Sequence, residues 1–297
     1  MRLGSSRTSL LCLVVACAGS GCGQDRGPAT ERAKGLHPRA VHLVLEGMLS
    51  HNAEIRQNSF DLCERHWEDL RGSVRDFLES DEVPRRHAAA YLLSRLGGWT
   101  DAPLLRICLR DSSADVRLAT LRGVSRLRDR RSVPLLLANL ESKIDFKERR
   151  AVLDVIAQLD PGAALEVCLK FSDRESWAHR RNAAETMGCL DDGVSEARLV
   201  RMLSDSVWMV RSDAAYSLAR RGVTTVGPHL VRMAKEKPSK VRIAATYALG
   251  ALRRPEDLEL LRRLASGDPD KRVRHAASGA LGQRSPGARP LTESRRD

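Results

Sequence analysis

Lys240–Gly250 reads KVRIAATYALG, and Arg272–Gly282 reads RVRHAASGALG, 32 residues further on. With Val241 and Val273 as position zero, both copies carry Arg at plus one, Ala at plus four, Leu at plus eight and Gly at plus nine. The same frame recurs upstream, anchored at Val210, His179, Glu148, Val116, Arg85 and Ile55. The intervals from first to last are 30, 31, 32, 31, 31, 31 and 32 residues. Eight copies at so even a period are the signature of a stacked repeat rather than of a globule with chance similarity.

Each copy contains two helical patterns. Apolar or small residues at zero, plus four and plus eight lie on one face of a 3.6-residue helix. A first helix precedes each such second helix, as in APLLRICLR, VPLLLANLE, PGAALEVCLKF, EARLVRMLS, GPHLVRMA and PEDLELLRRLA. Pro103, Pro134, Pro161, Pro228 and Pro255 stand at or near the starts of these first helices, where a missing N–H costs nothing. Gly97, Gly222, Asp160 and Asp191 close preceding helices. No segment alternates as a strand would, and four Phe with three Tyr are few for a β core. The alanines at plus four allow neighbouring helices a close approach.

On these residues the chain resembles HEAT repeats in the short bacterial form named after phycobilisome lyases. SDSVWMVRSDAAYSLARRG and GDPDKRVRHAASGALGQ match the pattern well, and the copy at Ile55 is the faintest. The resemblance spans 36–284. It implies an all-α fold, a right-handed α-α superhelix (an α-solenoid) of about eight HEAT-like helix pairs.

The residues outside that span read differently. MRLGSSRTSLLCLVVACAGSGC has Arg2 and Arg7, no acid, and a short apolar run from Leu10 to Ala18. That is the pattern of an export signal, at about half the length that spans a bilayer. It resembles the lipobox of bacterial lipoproteins, in which a cysteine after small residues is lipidated. Cys17 follows the better apolar-apolar-small run, whereas Cys22 leaves the more usual signal length, so the lipidated residue is Cys17 or Cys22. An ordinary cleaved signal is the plainer alternative. Residues 1–22 are thus expected to be a signal, 23–35 a polar tether and 285–297 a polar tail. The chain is expected to be exported to a bacterial cell envelope and lipid-anchored, facing the periplasm or the exterior.

Position plus one is Arg in all eight copies: Arg56, Arg86, Arg117, Arg149, Arg180, Arg211, Arg242 and Arg274. Asp111, Asp205, Glu236 and Asp268 occupy minus five, with Asp81, Asp145 and Asp173 near the same place. The resemblance implies a structural ladder between repeats. The physical ground is that a planar guanidinium bridges carboxylates and helix-end carbonyls of two repeats at once.

The resemblance also implies that second helices line a concave face. Plus two, plus six and plus ten point away from the buried face. All three tyrosines, Tyr91, Tyr216 and Tyr247, stand in the plus-six row. With Arg122, Arg150, Arg181 and Arg220 they form the candidate surface for a protein or peptide partner, Tyr and Arg being favoured at interfaces. The bland alternative is that the tyrosines pack on neighbouring helices.

The formal net charge is +12. Removing Arg2 and Arg7 leaves 48 basic against 38 acidic residues. The excess is spread over every repeat, and Asp61, Asp154 and Glu185 interrupt the outward rows. A phosphate groove is more uniformly basic, so binding to nucleic acid or to another anionic polymer, including lipid headgroups and cell-wall polymers, is the lesser alternative. No catalytic residue, metal site, cofactor or small-molecule substrate is indicated. HExxH, GxSxG and Walker patterns are missing, and so is the His-Glu dipeptide of iron-binding HEAT hydroxylases. His37, His42 and His51 cluster in sequence, as residues of a solvated face do. Cys108 and Cys168 read as small core residues, and Cys189 as exposed. The sequence therefore points to a non-catalytic scaffold. A lyase- or isomerase-like enzyme, or enzyme subunit, acting on a bound protein or pigment is the rival.

Overall fold

The computed structural model describes residues 37–142 and 144–282. The signal, tether and tail expectations, including Cys17 and Cys22, lie outside those residues. Sixteen α-helices and four short 3-10 turns make up the described chain, which contains no strand. The described residues divide into two compact units, the first ending at Ile144 and the second starting at Asp145.

The first unit holds α1 (Pro38–Gly47), α2 (Ala53–Arg65), α3 (Trp67–Leu78), α4 (Val83–Leu96), α5 (Ala102–Cys108), α6 (Ala114–Leu127) and α7 (Val133–Glu141). The second holds α8 (Phe146–Leu159), α9 (Pro161–Ser172), α10 (Trp177–Met187), α11 (Gly193–Met202) and α12 (Trp208–Arg220). It continues through α13 (Gly227–Met233), α14 (Ser239–Leu252), α15 (Leu258–Gly267) and α16 (Lys271–Gly282). Every even-numbered helix is an anchored second helix, so the order along the chain is eight first–second pairs.

The helix ends follow from local chemistry. Asn52, Asp145, Asp160 and Asp192 accept backbone N–H bonds at the starts of α2, α8, α9 and α11, supplying partners to donors that have none inside the helix. Proline occupies the first turn of α5, α7, α9 and α13. Pro255 instead opens the 3-10 turn Pro255–Asp257 ahead of α15. Gly222 closes α12 at φ +72°. Arg128 and Arg253 take the same left-handed region, at φ 51° and 53°, where a Cβ is strained by roughly 1–2 kcal/mol.

The core follows the repeat frame. Val210, Ala214 and Leu218 are fully buried in α12, as are Val241, Ala245 and Leu249 in α14. Leu105, Leu136, Leu199 and Leu230 of the first helices are equally inaccessible, each contributing about 1.5–3 kcal/mol by burial. Within each unit successive second helices pack against one another. Plus nine of one repeat meets plus seven of the next. A Cβ added to Gly188 would lie 2.6 Å from the Cβ of Ser217, and one added to Gly250 would lie 2.6 Å from the Cβ of Ala280. The small residue at plus nine of the opening motif is therefore a contact surface. Between α4 and α6 the roles reverse, with Ser94 at plus nine and Gly123 at plus seven.

Candidate functional site

Two sets of arginines leave the second helices in opposite ways. The plus-one set turns inward to the loops. Arg86 gives Nη1 to the carbonyls of Ser80 and Asp81 (both 2.9 Å) and Nε to the carboxylate of Asp111 in the next repeat (2.8 Å). Arg180 likewise binds the Arg174 and Glu175 carbonyls and reaches Asp205 at 2.6 and 2.9 Å. Arg211 binds the Asp205 carbonyl (2.7 Å) and Glu236 (2.5 Å). Arg242 binds the Glu236 and Lys237 carbonyls and holds Asp268 with two bonds of 2.8 Å. Arg56, Arg117 and Arg274 make the within-repeat bonds, to the carbonyls of Ser50, Asp111 and Asp268 (each 2.6 Å).

These contacts set the electrostatics. The Arg242 guanidinium holds the Asp268 carboxyl below the usual carboxylate range, against the pull of burial. Burial pushes Asp205 up, but Arg180 and the Val207 N–H outweigh it and the net shift is downward. Arg149 is 9 % exposed, and its burial lowers its pKa against the attraction of Asp145 and Glu148. The three acids expected near minus five serve elsewhere. Asp81 contributes its carbonyl, Asp145 caps α8, and Asp173 is bound by Arg198 of α11 at 2.5 Å.

Plus-two and plus-six residues of α8 and α10, with Asp213 at plus three of α12, form a charge chain across three helices. Asp154 and Arg150 pair within α8 (2.8 Å), Arg150 reaches Glu185 of α10, Glu185 accepts from Arg181 (3.5 Å), and Arg181 reaches Asp213 of α12. Three of these acids and Arg150 line a cleft of about 400 Å³ together with Tyr216, Ser217 and Arg220. Arg220 lies over the Tyr216 ring at 5.9 Å, and Arg181 over the Phe146 ring at 5.2 Å. Burial raises the Asp213 carboxyl pKa, with Arg181 pulling the other way.

The candidate partner residues are thus divided. Arg150, Tyr216 and Arg220 line one cleft, and Arg181 joins it only through Glu185 and Asp213; Arg150 and Arg181 already have carboxylates, so neither offers free charge. Tyr247 is exposed on α14, outside the cleft lining. Tyr91 belongs to the first unit, where it meets Phe60 edge-on at 5.8 Å and lines a separate cleft of about 520 Å³ with Met48, Pro84 and His87. Arg122 is exposed and lines neither.

Cys108 and Cys168 are buried, and burial pushes their thiols up to about 11 and about 12. Cys189 is exposed. Among the described residues, no group of three or more His, Cys, Asp and Glu could hold a metal ion.

A second set of acids escaped the sequence reading. Asp101, Asp129 and Asp257 sit at the 3-10 turns before first helices and are almost wholly buried. Arg71 binds Asp101 (2.7 Å), Arg106 binds Asp129 (3.0 and 3.1 Å) and Arg254 binds Asp257 (2.8 Å). The signal was an Asp standing just ahead of several first helices at drifting distances from the anchor, which a fixed frame passes over.

Helical hairpins stacked at a 31-residue period, tied by an arginine that serves two repeats, define an all-α repeat protein. A family model described as HEAT repeats matches residues 133–219, 165–250 and 227–292, more than half of the chain. The chain belongs to the HEAT-repeat family. No curated protein matches it.

Among solved structures it is similar to YibA of Escherichia coli at 18% identity, covering 95% of this chain and 100% of that one with a TM-score of 0.55. It is similar to Kap95p, solved with RanGDP, at 14% identity and a TM-score of 0.61, covering 93% of this chain and 43% of that one. The CpcE–CpcF phycocyanin lyase of Nostoc matches at 19% identity, over 87% of this chain and 100% of that one, with a TM-score of 0.39. Likeness at these identities is a likeness of fold.

Proposed function

We propose that the chain is a binding scaffold that grips a protein or peptide on the second-helix face of its C-terminal unit. The observation that carries this reading is the cleft beside α12. Its charges are matched internally, while Tyr216 and Arg220 remain half-open at its edge. Such an arrangement offers a preshaped amphipathic surface with two residue types that dominate interface energetics. Repeat folds present extended surfaces of this kind to partners. Kap95p, of similar fold, binds RanGDP.

A photo-crosslinker placed at Tyr247, outside the cleft lining, is expected to capture a partner chain from the native envelope. The Tyr216→Ala/Arg220→Ala variant is expected to weaken that capture by tenfold or more, since truncating a central anchor costs about 2 kcal/mol or more. Capture unchanged by the double substitution would remove the cleft from the reading.

The rival, an enzyme acting on a bound protein or pigment, draws on Asp213, whose raised carboxyl stands beside a cleft, as acid–base groups do. Arg181 already engages that carboxylate, which suits an ion-pair partner better than a proton carrier.

We also infer export and lipid anchoring from the N-terminal sequence. Radiolabelled fatty acid is expected to enter the wild-type chain in a bacterial host and to be lost on either Cys17→Ser or Cys22→Ser. Labelling that survives both changes together, or none in the wild type, would sink the anchor.

A further inference from the structure

The first unit carries a cleft of about 460 Å³ whose walls include Trp99, Pro103, Arg106, Arg128, Arg130 and Arg131. Asp129 also lines it, but this acid is 1 % exposed and already accepts from Arg106 and from the Ser132 hydroxyl (2.8 Å). Arg128, Arg130 and Arg131 are exposed, and none of them meets a carboxylate among the described residues. Three guanidinium groups from four consecutive residues therefore share one cleft, and its single carboxylate, Asp129, is already taken by Arg106. Arg128 holds the left-handed position that closes α6, a place where glycine is the unstrained choice.

The apolar residues at this corner add a second observation. Trp99 is 61% exposed and Ile107, next to Arg106 on α5, is 63% exposed. They are the two most exposed large hydrophobic side chains among the described residues. An unpaired cation cluster alone would suit any polyanion. Paired with an open indole and an open isoleucine, it suits a surface that is anionic outside and apolar just beneath.

We infer that this corner docks on an anionic lipid bilayer. The guanidinium groups would take lipid phosphates, for which their planar fork is suited. The Trp99 ring would sit at headgroup level, where tryptophan is favoured, and Ile107 would enter the acyl boundary. A nucleic-acid duplex is the poorer fit, because it calls for phosphate contacts in a row and offers nothing to the isoleucine. The inference uses no residue before His37, so it is independent of the lipid anchor.

The test uses the full chain bearing Cys17→Ser and Cys22→Ser, which has no acyl chain to hold it to a membrane. It is sedimented with vesicles of phosphatidylcholine alone, or with a third of the lipid replaced by phosphatidylglycerol. Binding is expected on the anionic vesicles only, and is expected to fall as salt is raised. Arg128→Gly with Arg130→Ala and Arg131→Ala should weaken it on the order of 100-fold, and Trp99→Ala by several-fold. Circular dichroism should show unchanged helicity and no loss of melting temperature in both variants, because the altered side chains are exposed and make no ion pair and Arg128→Gly relieves the left-handed backbone. Equal binding to neutral vesicles or wild-type binding by the triple variant would overturn the inference. So would displacement by inorganic phosphate at matched ionic strength, which would mark a closed phosphate pocket. Arg-dependent binding to duplex DNA in preference to vesicles would overturn it too.

Discussion

Arg242→Ala is expected to lower the melting temperature by about 10 °C. Arg242 and Asp268 are the most buried pair of the ladder, with side chains 11% and 4% exposed. Truncating the guanidinium leaves the Asp268 carboxylate without its strongest partner and strands the Glu236 and Lys237 carbonyls. Breaking a buried pair from one side costs about 3–5 kcal/mol, and each kcal/mol is worth about 2–4 °C in a unit of this size. Arg211→Ala is expected to cost less, several degrees, because its partner Glu236 is 31% exposed and solvent screens it. Replacing both Arg242 and Asp268 with apolar residues should recover much of the loss. A melt of Arg242→Ala within two or so degrees of wild type would contradict the role assigned to it.

The pH dependence carries a sign that can be worked out. Asp268 has a folded pKa below its unfolded value, near 3.9. Its contribution is therefore fully present above about pH 4 and is lost as pH falls through the lower folded value. The gap in stability between wild type and Arg242→Ala should be widest near neutrality and should close in acid. A gap that widens below pH 4 would mean that the pair is not the source.

Gly188→Val is expected to destabilise the second unit by about 3 kcal/mol or more, at the upper end of overpacking. A Cβ at this position falls 2.4 Å from the Ser217 Oγ, 2.6 Å from its Cβ and 3.1 Å from its Cα. Ser217 cannot swing clear, because its hydroxyl donates to the Ala184 carbonyl at 2.9 Å and its Cα belongs to α12. Relief requires α10 and α12 to separate. Ser217→Gly in the same chain removes the opposing atoms, so the double variant should be more stable than Gly188→Val alone despite the intrinsic cost of a second helix glycine. If Ser217→Gly makes matters worse by its ordinary single-mutant amount, the collision is not between these two residues.

The repeat frame was legible because each of its positions answers to one physical demand. Val at zero and Leu at plus eight are buried, Ala at plus four lets helices close, and Arg at plus one reaches two loops. The small residue at plus nine was visible, but its partner at plus seven was not. That contact lies between repeats, and a pattern read along one repeat does not contain it. The candidate surface was read from helix geometry alone. This put Arg150, Arg181, Tyr216 and Arg220 on one face of the second helices, and in the structure Arg150, Tyr216 and Arg220 line one cleft. It could not foresee that Glu185 and Asp213, from neighbouring helices, would absorb the two arginines. Asp101, Asp129 and Asp257 were hidden for a related reason: their distance to the next anchor drifts with the length of the turn, while the arginine that fixes each of them lies upstream, in a preceding helix for Asp101 and Asp129 and within the same turn for Asp257.

The wiring of Arg180, Arg211 and Arg242 has a consequence for how such a chain can change its length. The blocks anchored at Val210 and Val241 each carry a plug, the guanidinium of Arg211 or Arg242, and a socket, the carboxylate of Asp205 or Glu236 five residues ahead of the anchor. Cut at equivalent loops, any such block can be copied or deleted and the flanking blocks still fit each other. Growth by duplication thus needs no new complementary mutation at these joints.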